Sequence, residues 1–249
     1  EEIKITAIDK WGNQTTKVVK IITKFKKHTS IIKNTEKFYA LLIGNNDYKH
    51  WEKLDAAVND VVTIGEILES KYGYHVEVLT DGTSDVIRNK LIELSKKVTS
   101  EDNLLIYYSG HGDRNINMSP IRAYWIPTDA TQTFDAKWIN TEDVSAMISQ
   151  IPAKHILIMV DSCYAGSTIK GNSTTEGDWN ISNKDFSMKY ITKMLARRTR
   201  QIITSGNVER VVDAYIQNHS LFAYKFLDIL KKNENYTTGR IVYGELHKY

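Results

Sequence analysis

One cysteine and one histidine supply the residue types needed for nucleophilic catalysis. Cys163, the single cysteine of the chain, follows the apolar run 155–160. His111 follows a second apolar run at 103–108. Short apolar runs of this kind are typical of strands buried on both faces of a parallel sheet. Because parallel strands share one carboxyl edge, we expect thiol and imidazole to meet there as nucleophile and base.

The surroundings of these two residues favour catalysis over a structural role. A lone buried cysteine beside a core histidine is usually a small apolar residue. Here Gly110 and Gly112 flank His111, which leaves room for a substrate. The N–H groups of Gly112 and Cys163 would form an oxyanion hole, an effect worth about 3–4 kcal/mol per donor. The same glycines would also permit a tight turn, and the two roles are compatible.

Asp161 lies two residues before Cys163, on the same face if the strand continues. A carboxylate at this position disfavours the thiolate. An enzyme would tolerate that cost if the carboxylate bound a cationic group of the substrate. Asp161 therefore indicates a preference for positively charged substrate side chains.

The composition is that of an ordinary globular protein. The chain has 249 residues, with 41% hydrophobic and 25% charged residues. The formal net charge of +3 is too small to indicate a nucleic-acid partner, and no apolar run reaches transmembrane length. One cysteine excludes an internal disulfide. We expect a monomer.

The chain is predicted to have three parts. Residues 1–24 alternate apolar and polar positions around a Trp-Gly-Asn turn, which predicts a β-hairpin resembling the end of an immunoglobulin-like repeat. Residues 25–37 are basic and polar and predict a linker, and 38–249 form the main domain. If the hairpin comes from such a repeat, we expect an exported or cell-surface bacterial protein, and otherwise a cytoplasmic one.

The main domain alternates predicted strands and helices. The strands are expected at 38–44, 75–79, 103–108, 123–126, 155–160 and 201–204. The helices are expected from apolar positions within 57–68, 87–98, 144–151, 190–195, 221–230 and 241–246, with a long loop at 166–186. Gly73 suits the end of the first helix, and Thr83 or Ser84 the start of the second. This alternation predicts an α/β fold with a mostly parallel sheet between helices.

The motifs resemble those of the caspase-like cysteine peptidases, in the metacaspase and bacterial orthocaspase branch. The matching segments are Tyr-Tyr-Ser109-Gly110-His111-Gly112-Asp113, Asp161-Ser162-Cys163-Tyr164-Ala165-Gly166, the strand and turn at 39–48, the helix start at 56–60, and the segments 124–129 and 203–206. The resemblance implies a caspase-haemoglobinase-like three-layer sandwich carrying a Cys-His dyad. The resemblance also implies that catalysis needs no cofactor, although some relatives bind calcium.

The resemblance also implies a substrate site. Asp161 and Asp60 match acids that hold Lys or Arg at P1, the substrate residue before the cleaved bond, and Ser109 matches a serine lining that pocket. An ordinary acid at a helix N-terminus is the alternative for Asp60. The edge at Ser205 and Gly206 would receive the substrate as an added strand. The cysteine motif differs from the Gln-Ala-Cys signature of animal caspases, so we predict cleavage after Arg or Lys and not after Asp.

A basic P1 preference would make the loop after Cys163 a substrate of the enzyme itself. The candidate sites are Lys170, Lys184, Lys189 and Lys193. We predict autoprocessing between about residues 168 and 196, resembling zymogen maturation in relatives. A solvated, uncut loop is the alternative.

Clustered acids raise the question of calcium. Asp129, Asp135, Glu142 and Asp143 are loosely grouped, without EF-hand spacing. Helix-capping and surface roles are the expectation.

Two other functions stay open for the whole chain: a non-catalytic caspase-fold scaffold, and a clostripain- or separase-like thiol peptidase.

Overall fold

The computed structural model describes residues 2–8, 14–20, 36–115, 117, 122–134, 136–163, 197–205 and 216–232. The chain divides into two compact units, Glu1–Thr35 and Glu36–Tyr249. In the first unit, β1 (Glu2–Ile8) pairs antiparallel with β2 (Gln14–Lys20). The predicted turn between them, most of the predicted linker and the predicted helices at 190–195 and 241–246 lie outside the described residues.

The second unit is built around a parallel sheet. Its strands are β3 (Phe38–Gly44), β4 (His75–Thr80), β5 (Asn103–Ser109), β9 (His155–Asp161) and β10 (Thr199–Thr204), in the spatial order β10-β9-β5-β3-β4. The neighbouring strands pair in parallel throughout. The runs around β3, β5 and β9 are apolar because helices cover these strands on both faces.

Helices cover both faces of this sheet, as the α/β prediction required. On one face, α1 (Ala57–Tyr72) and α4 (Leu221–Lys232) share a core with Leu105, Tyr107 and Met159. On the other face, α2 (Ser84–Lys97) and α3 (Thr141–Ser149) share a core with Ile106, Tyr108 and Val160. Alternate residues of β5 and β9 therefore enter different cores, as the period of a strand requires. The three-layer sandwich is confirmed.

A second, antiparallel sheet lies after β5. It contains β6 (Gly112–Asn115), β7 (Arg122–Trp125) and β8 (Ile139–Asn140), in the order β6-β7-β8. No strand was predicted where β6 lies, and the list of predicted strands was wrong in this respect. β6 is short and polar, so it lacks the apolar run that marked the strands of the main sheet.

Most helix ends lie where the sequence predicted them. Gly73 ends α1 in the left-handed conformation, with φ 69°. Thr83 precedes α2 but makes no side-chain cap. Instead, the Ser84 N–H donates to Asp129 Oδ1 at 3.0 Å. The third helix ends at Ser149, so Ile151 is a buried residue beyond it.

The register of the strands sets the position of the functional residues. Gly44 is aligned with Ser109, and Ser109 with Asp161, so three strand ends meet at one edge. His111 follows Ser109 by two residues, and Cys163 follows Asp161 by two. Both predicted catalytic residues therefore leave adjacent strands at the same carboxyl edge.

Candidate active site

A cleft of about 540 Å³ opens at this carboxyl edge. His111 and Cys163 both line it, together with Ser109, Gly110 and Gly112. A crevice beyond the carboxyl ends of the strands is where α/β sheets bind ligands. The fold therefore places in one cleft the two residues that were predicted to be nucleophile and base.

The backbone of His111 is fixed by two buried phenols. Its N–H donates to the Tyr48 hydroxyl at 2.8 Å, and its carbonyl oxygen lies 2.7 Å from the Tyr108 hydroxyl. Burial raises the pKa of Tyr48, and burial together with the nearby Tyr48 raises that of Tyr108. Both phenols therefore remain neutral hydroxyls across the physiological range. They anchor the histidine loop to the core.

The ring of His111 is oriented by a backbone carbonyl. Its Nε2 lies 2.7 Å from the carbonyl oxygen of Glu52. Because a carbonyl oxygen only accepts hydrogen bonds, Nε2 carries the proton in this contact. In the neutral ring, Nδ1 then keeps its lone pair and is the nitrogen that can accept a proton.

Two aromatic rings flank the imidazole. The ring centroids of Tyr48 and Trp51 lie 4.6 Å and 5.4 Å from that of His111. The Trp51 and Trp138 indoles both donate to the Thr131 carbonyl oxygen, at 3.0 Å and 2.9 Å. These rings hold the imidazole in place.

The turn containing Cys163 follows β9 directly and packs against β6. Cys163 is half-buried, whereas Ser162 is buried. A Cβ atom on Gly112 would collide with the Cys163 carbonyl oxygen and lie 2.8 Å from Ser162 Oγ. A Cβ on Gly110 would lie 2.7 Å from the Tyr48 hydroxyl oxygen. Both glycines are required because the histidine loop approaches its neighbours too closely for a side chain.

The Gly112 N–H, predicted to be an oxyanion donor, makes no ladder hydrogen bond to β7. The Ile126 N–H donates to the His111 carbonyl oxygen at 3.0 Å, while Gly112 is aligned with Trp125. This pattern makes Gly112 and Trp125 a non-hydrogen-bonded pair, so the Gly112 N–H is directed away from β7.

Of the two predicted pocket acids, one lines the cleft. Asp161 is 4% exposed and lines it, beside Ser109. Its Oδ2 accepts from the hydroxyl of Ser220 and lies 3.4 Å from that of Tyr107. Burial raises the pKa of Tyr107 well above its ordinary value, and the charges of Asp161 and Asp60 raise it further. Tyr107 is therefore a neutral donor to Asp161.

Asp60 lies on α1 behind this wall and is not among the residues lining the cleft. It is fully buried, and its Oδ1 lies 2.6 Å from Nδ1 of His219. Its Oδ2 lies 3.4 Å from the backbone N of Ser220. Neither His219 nor Ser220 was predicted from the sequence to belong to the site. Ser220, just before an apolar helix, carried an N-cap signal, but nothing local connects His219 with α1.

A family model of the caspase domain matches residues 37–247. The chain belongs to this family. Metacaspase-7 of Arabidopsis thaliana is 29% identical over 251 residues, covering 83% of this chain and 60% of that protein. Metacaspase-6 of the same plant is 25% identical over 248 residues, covering 81% and 64%. Metacaspase-1 of Schizosaccharomyces pombe is 26% identical over 147 residues, covering 52% and 34%. This chain spans less than two thirds of each relative's length.

The solved structures support the fold of this caspase domain. A crystal structure of a Geobacter sulfurreducens protein matches with a TM-score of 0.58 at 18% identity. The match covers 85% of this chain and 87% of that one. The similarity shows a shared three-layer fold.

Among the charged residues that line the cleft of the caspase domain, acids predominate. Glu52, Asp55, Asp113 and Asp161 line it, and no arginine is among its described lining residues. Lys53 also lines it, but its ammonium lies 2.5 Å from Asp47 Oδ1. The carboxylate of Asp47 therefore offsets the positive charge of Lys53. A cationic ligand is the electrostatic match for such a surface.

The edge of the sheet next to the nucleophile is β10. Within the part of the chain that the structure describes, β10 pairs on one side only, with β9. Ser205 follows this strand, and its N–H donates to the Val160 carbonyl oxygen at 3.0 Å. Gly206 lies outside the described residues.

The acids considered for calcium bind cationic or N–H groups of the protein. The carboxylate of Asp129 lies 3.0 Å from Lys137 Nζ, besides capping α2. Glu142 and Asp143 contact Arg122 and Arg88 at 3.5 Å and 3.8 Å. Among the described residues, no group of three or more His, Cys, Asp or Glu has a metal-binding arrangement. Asp135 lies outside them.

No helix in the described part of the chain is both long and apolar enough to cross a membrane.

Proposed function

We propose that this chain is a cysteine endopeptidase that cleaves after Arg or Lys. The observation that carries the proposal is the shared acidic cleft, in which Cys163 and a His111 ring oriented by the Glu52 carbonyl both lie. The metacaspase relatives support the peptidase class. The relatives are longer than this chain, so the activity is proposed for the domain itself.

In the proposed mechanism, His111 Nδ1 takes the proton of the Cys163 thiol, and the sulfur attacks the scissile carbonyl carbon. The N–H groups of Gly112 and Cys163 bind the resulting oxyanion. When the C–N bond breaks, the imidazolium returns its proton to the departing amine and a thioester remains. Water, activated by His111, hydrolyses the thioester and regenerates the thiol.

The substrate preference is proposed from the charge of the cleft. Asp161 would pair with the guanidinium or ammonium of the P1 side chain, with Ser109 beside it. The edge of β10 that has no partner strand among the described residues would bind the peptide backbone as an added strand, at Ser205 and Gly206. Arg fits such a site well because it donates two parallel hydrogen bonds to a carboxylate.

The test compares fluorogenic peptides that differ only in P1, ending in Arg, Lys or Asp. We expect turnover of the Arg and Lys peptides by the wild type and none by Cys163→Ala or His111→Ala. Preferred turnover of the Asp peptide would refute the proposed specificity. Unchanged turnover in Cys163→Ala would refute the mechanism. Folded protein without turnover of any peptide would favour the scaffold function.

Self-processing is proposed from the same preference. Lys170, Lys184, Lys189 and Lys193 lie between the nucleophile and β10, outside the described residues. Mass spectrometry of incubated wild type and Cys163→Ala protein would locate cuts. We expect cleavage after one or more of these lysines in the wild type alone; identical fragments from both proteins would contradict it.

A further inference from the structure

Two consecutive residues outside the proposed dyad contact the two acids of the substrate site. His219 and Ser220 end the segment Ile216–Ser220, in which Ile216 and His219 form an isolated antiparallel bridge. The two residues between them have left-handed backbones, with φ 55° at Gln217 and 61° at Asn218. Such a turn reverses the chain within two residues. It delivers His219 and Ser220 to the start of α4.

His219 and Ser220 both hold Asp60. The Nδ1 of His219 lies 2.6 Å from Asp60 Oδ1, and the Ser220 N lies 3.4 Å from Oδ2. Because a carboxylate only accepts, both contacts are donated to Asp60. Asp60 is fully buried and His219 is 6% exposed. A buried carboxylate needs such donors because it has lost its water.

Ser220 also connects Asp60 and His219 to the cleft. Its hydroxyl oxygen accepts the Ala223 N–H at 2.9 Å, as an N-cap of α4. The hydroxyl hydrogen is donated to Asp161 Oδ2. One serine therefore caps a helix and fixes the carboxylate that lines the cleft.

The two acids lie close enough for both charges to act on Tyr107. Two carboxylates in one buried site repel each other, so each needs donors that keep it in place. The contacts separate their tasks: Asp60 receives the histidine, while Asp161 lines the cleft. Asp161 remains available to a substrate cation only if its side chain keeps this orientation.

We propose that His219 and Ser220 are positioning residues of the P1 pocket, with Ser220 directing Asp161 toward the substrate cation and His219 holding Asp60 and the turn behind it. The inference rests on the proposed preference for basic P1 residues. It adds a specificity role for residues that would touch neither the scissile bond nor the sulfur.

The experiment compares kcat and KM for the Arg peptide between the wild type and three variants. Ser220→Ala removes the donor to Asp161, and His219→Leu removes the donor to Asp60. A hydrogen bond to a charged group is strong enough that we expect KM to rise about tenfold or more in each, with kcat changed less than about threefold. His219→Asn, which keeps an N–H near the Nδ1 position, should restore most of the wild-type KM.

A matched control separates positioning from stability. Asn140 caps α3, its side chain accepting the Glu142 N–H at 2.8 Å, and does not line the cleft. Asn140→Ala therefore removes a helix cap, as Ser220→Ala does, and should lower the melting temperature without raising KM. Equal KM values in Ser220→Ala, His219→Leu and Asn140→Ala would overturn the proposal.

Binding of the uncleaved Arg peptide distinguishes failure of this inference from failure of the proposed function. It is measured by calorimetry in Cys163→Ala, with and without Ser220→Ala or His219→Leu. Wild type without turnover, but weaker binding in the double variants, would reject the peptidase and retain the pocket. Equal binding in all backgrounds, or no binding in any, would reject the positioning role. If Ser220→Ala fails to fold, His219→Leu and His219→Asn give the same test.

Discussion

The Nε2 atom of His111 lies 2.7 Å from the carbonyl oxygen of Glu52. This contact assigns the proton to Nε2 and the lone pair to Nδ1. The orienting group is a backbone carbonyl of the segment between β3 and α1. The base of the proposed dyad therefore depends on how that segment is held.

Trp51 tests this dependence, because its ring flanks His111 and its indole is tied to Thr131. Trp51→Ala should lower kcat/KM for the Arg peptide by about 10- to 100-fold, since misplaced catalytic groups lose rates of that order. Trp51→Phe, which keeps a ring, should retain most activity. Equal kcat/KM in Trp51→Ala and wild type would show that the ring does not position the base.

Gly112 tests the close approach of β6 to the nucleophile turn. Gly112→Ala would place a methyl group against the Cys163 carbonyl and Ser162 Oγ. We expect kcat/KM to fall at least about 100-fold, because the strain would displace both the proposed oxyanion donor and the proposed nucleophile.

Gly73 is the matched control for Gly112. A Cβ there meets nothing within 4 Å, but its φ of 69° is unfavourable for alanine. Gly73→Ala should cost about 1–2 kcal/mol of unfolding free energy and leave kcat/KM unchanged. A parallel loss of activity in both variants would attribute the Gly112 effect to stability alone.

Asp161 tests the pocket charge, and Asp113 provides a second cleft acid for comparison. Asp161→Asn should raise KM for the Arg peptide about 10- to 100-fold, in line with the cost of losing one partner of a buried charged contact. Asp113→Asn should raise it less. Steady-state kinetics on both variants decide the point, and a larger effect at Asp113 would move the P1 site away from Asp161.

Asp129 tests helix capping and its pH dependence. Burial opposes its charge, but the bonds from the Ser84 N–H and Lys137 outweigh it and lower the pKa of Asp129 below its usual value. A lowered folded-state pKa gives stability that is present above the unfolded pKa near 4 and is lost as pH falls through the folded value. Asp129→Ala should cost about 1 kcal/mol at pH 7.

The measurement is urea denaturation of wild type and Asp129→Ala at pH 7 and at pH 3. The difference in unfolding free energy should shrink at the lower pH. A difference that stays constant or grows on acidification would exclude an ionised cap.

The sequence predicted the strands and helices that have a local pattern of apolar residues. The apolar runs of β5 and β9 predicted buried parallel strands, and their ends placed His111 and Cys163 at one edge. It could not predict β6, whose four residues are too short and polar for a strand pattern. The Glu52 carbonyl has no side-chain signature at all.

The contacts of Asp60 could not be predicted from the sequence either. Asp60 meets His219, 159 positions away in sequence, through packing of α1 beside α4. The sequence offered an acid near a helix start and a histidine before another helix, with nothing to pair them. Long-range polar pairs of this kind follow from tertiary packing rather than from local pattern.

Covalent labelling of Cys163 tests the central claim most directly. A peptidyl acyloxymethyl ketone with P1 Arg is incubated with wild type and His111→Ala, and the adduct is located by mass spectrometry. The account predicts one adduct, at Cys163, formed rapidly in wild type, far more slowly in His111→Ala, and slowly with a P1 Asp reagent. Equal labelling of the wild type and His111→Ala, or no adduct at Cys163, would contradict it.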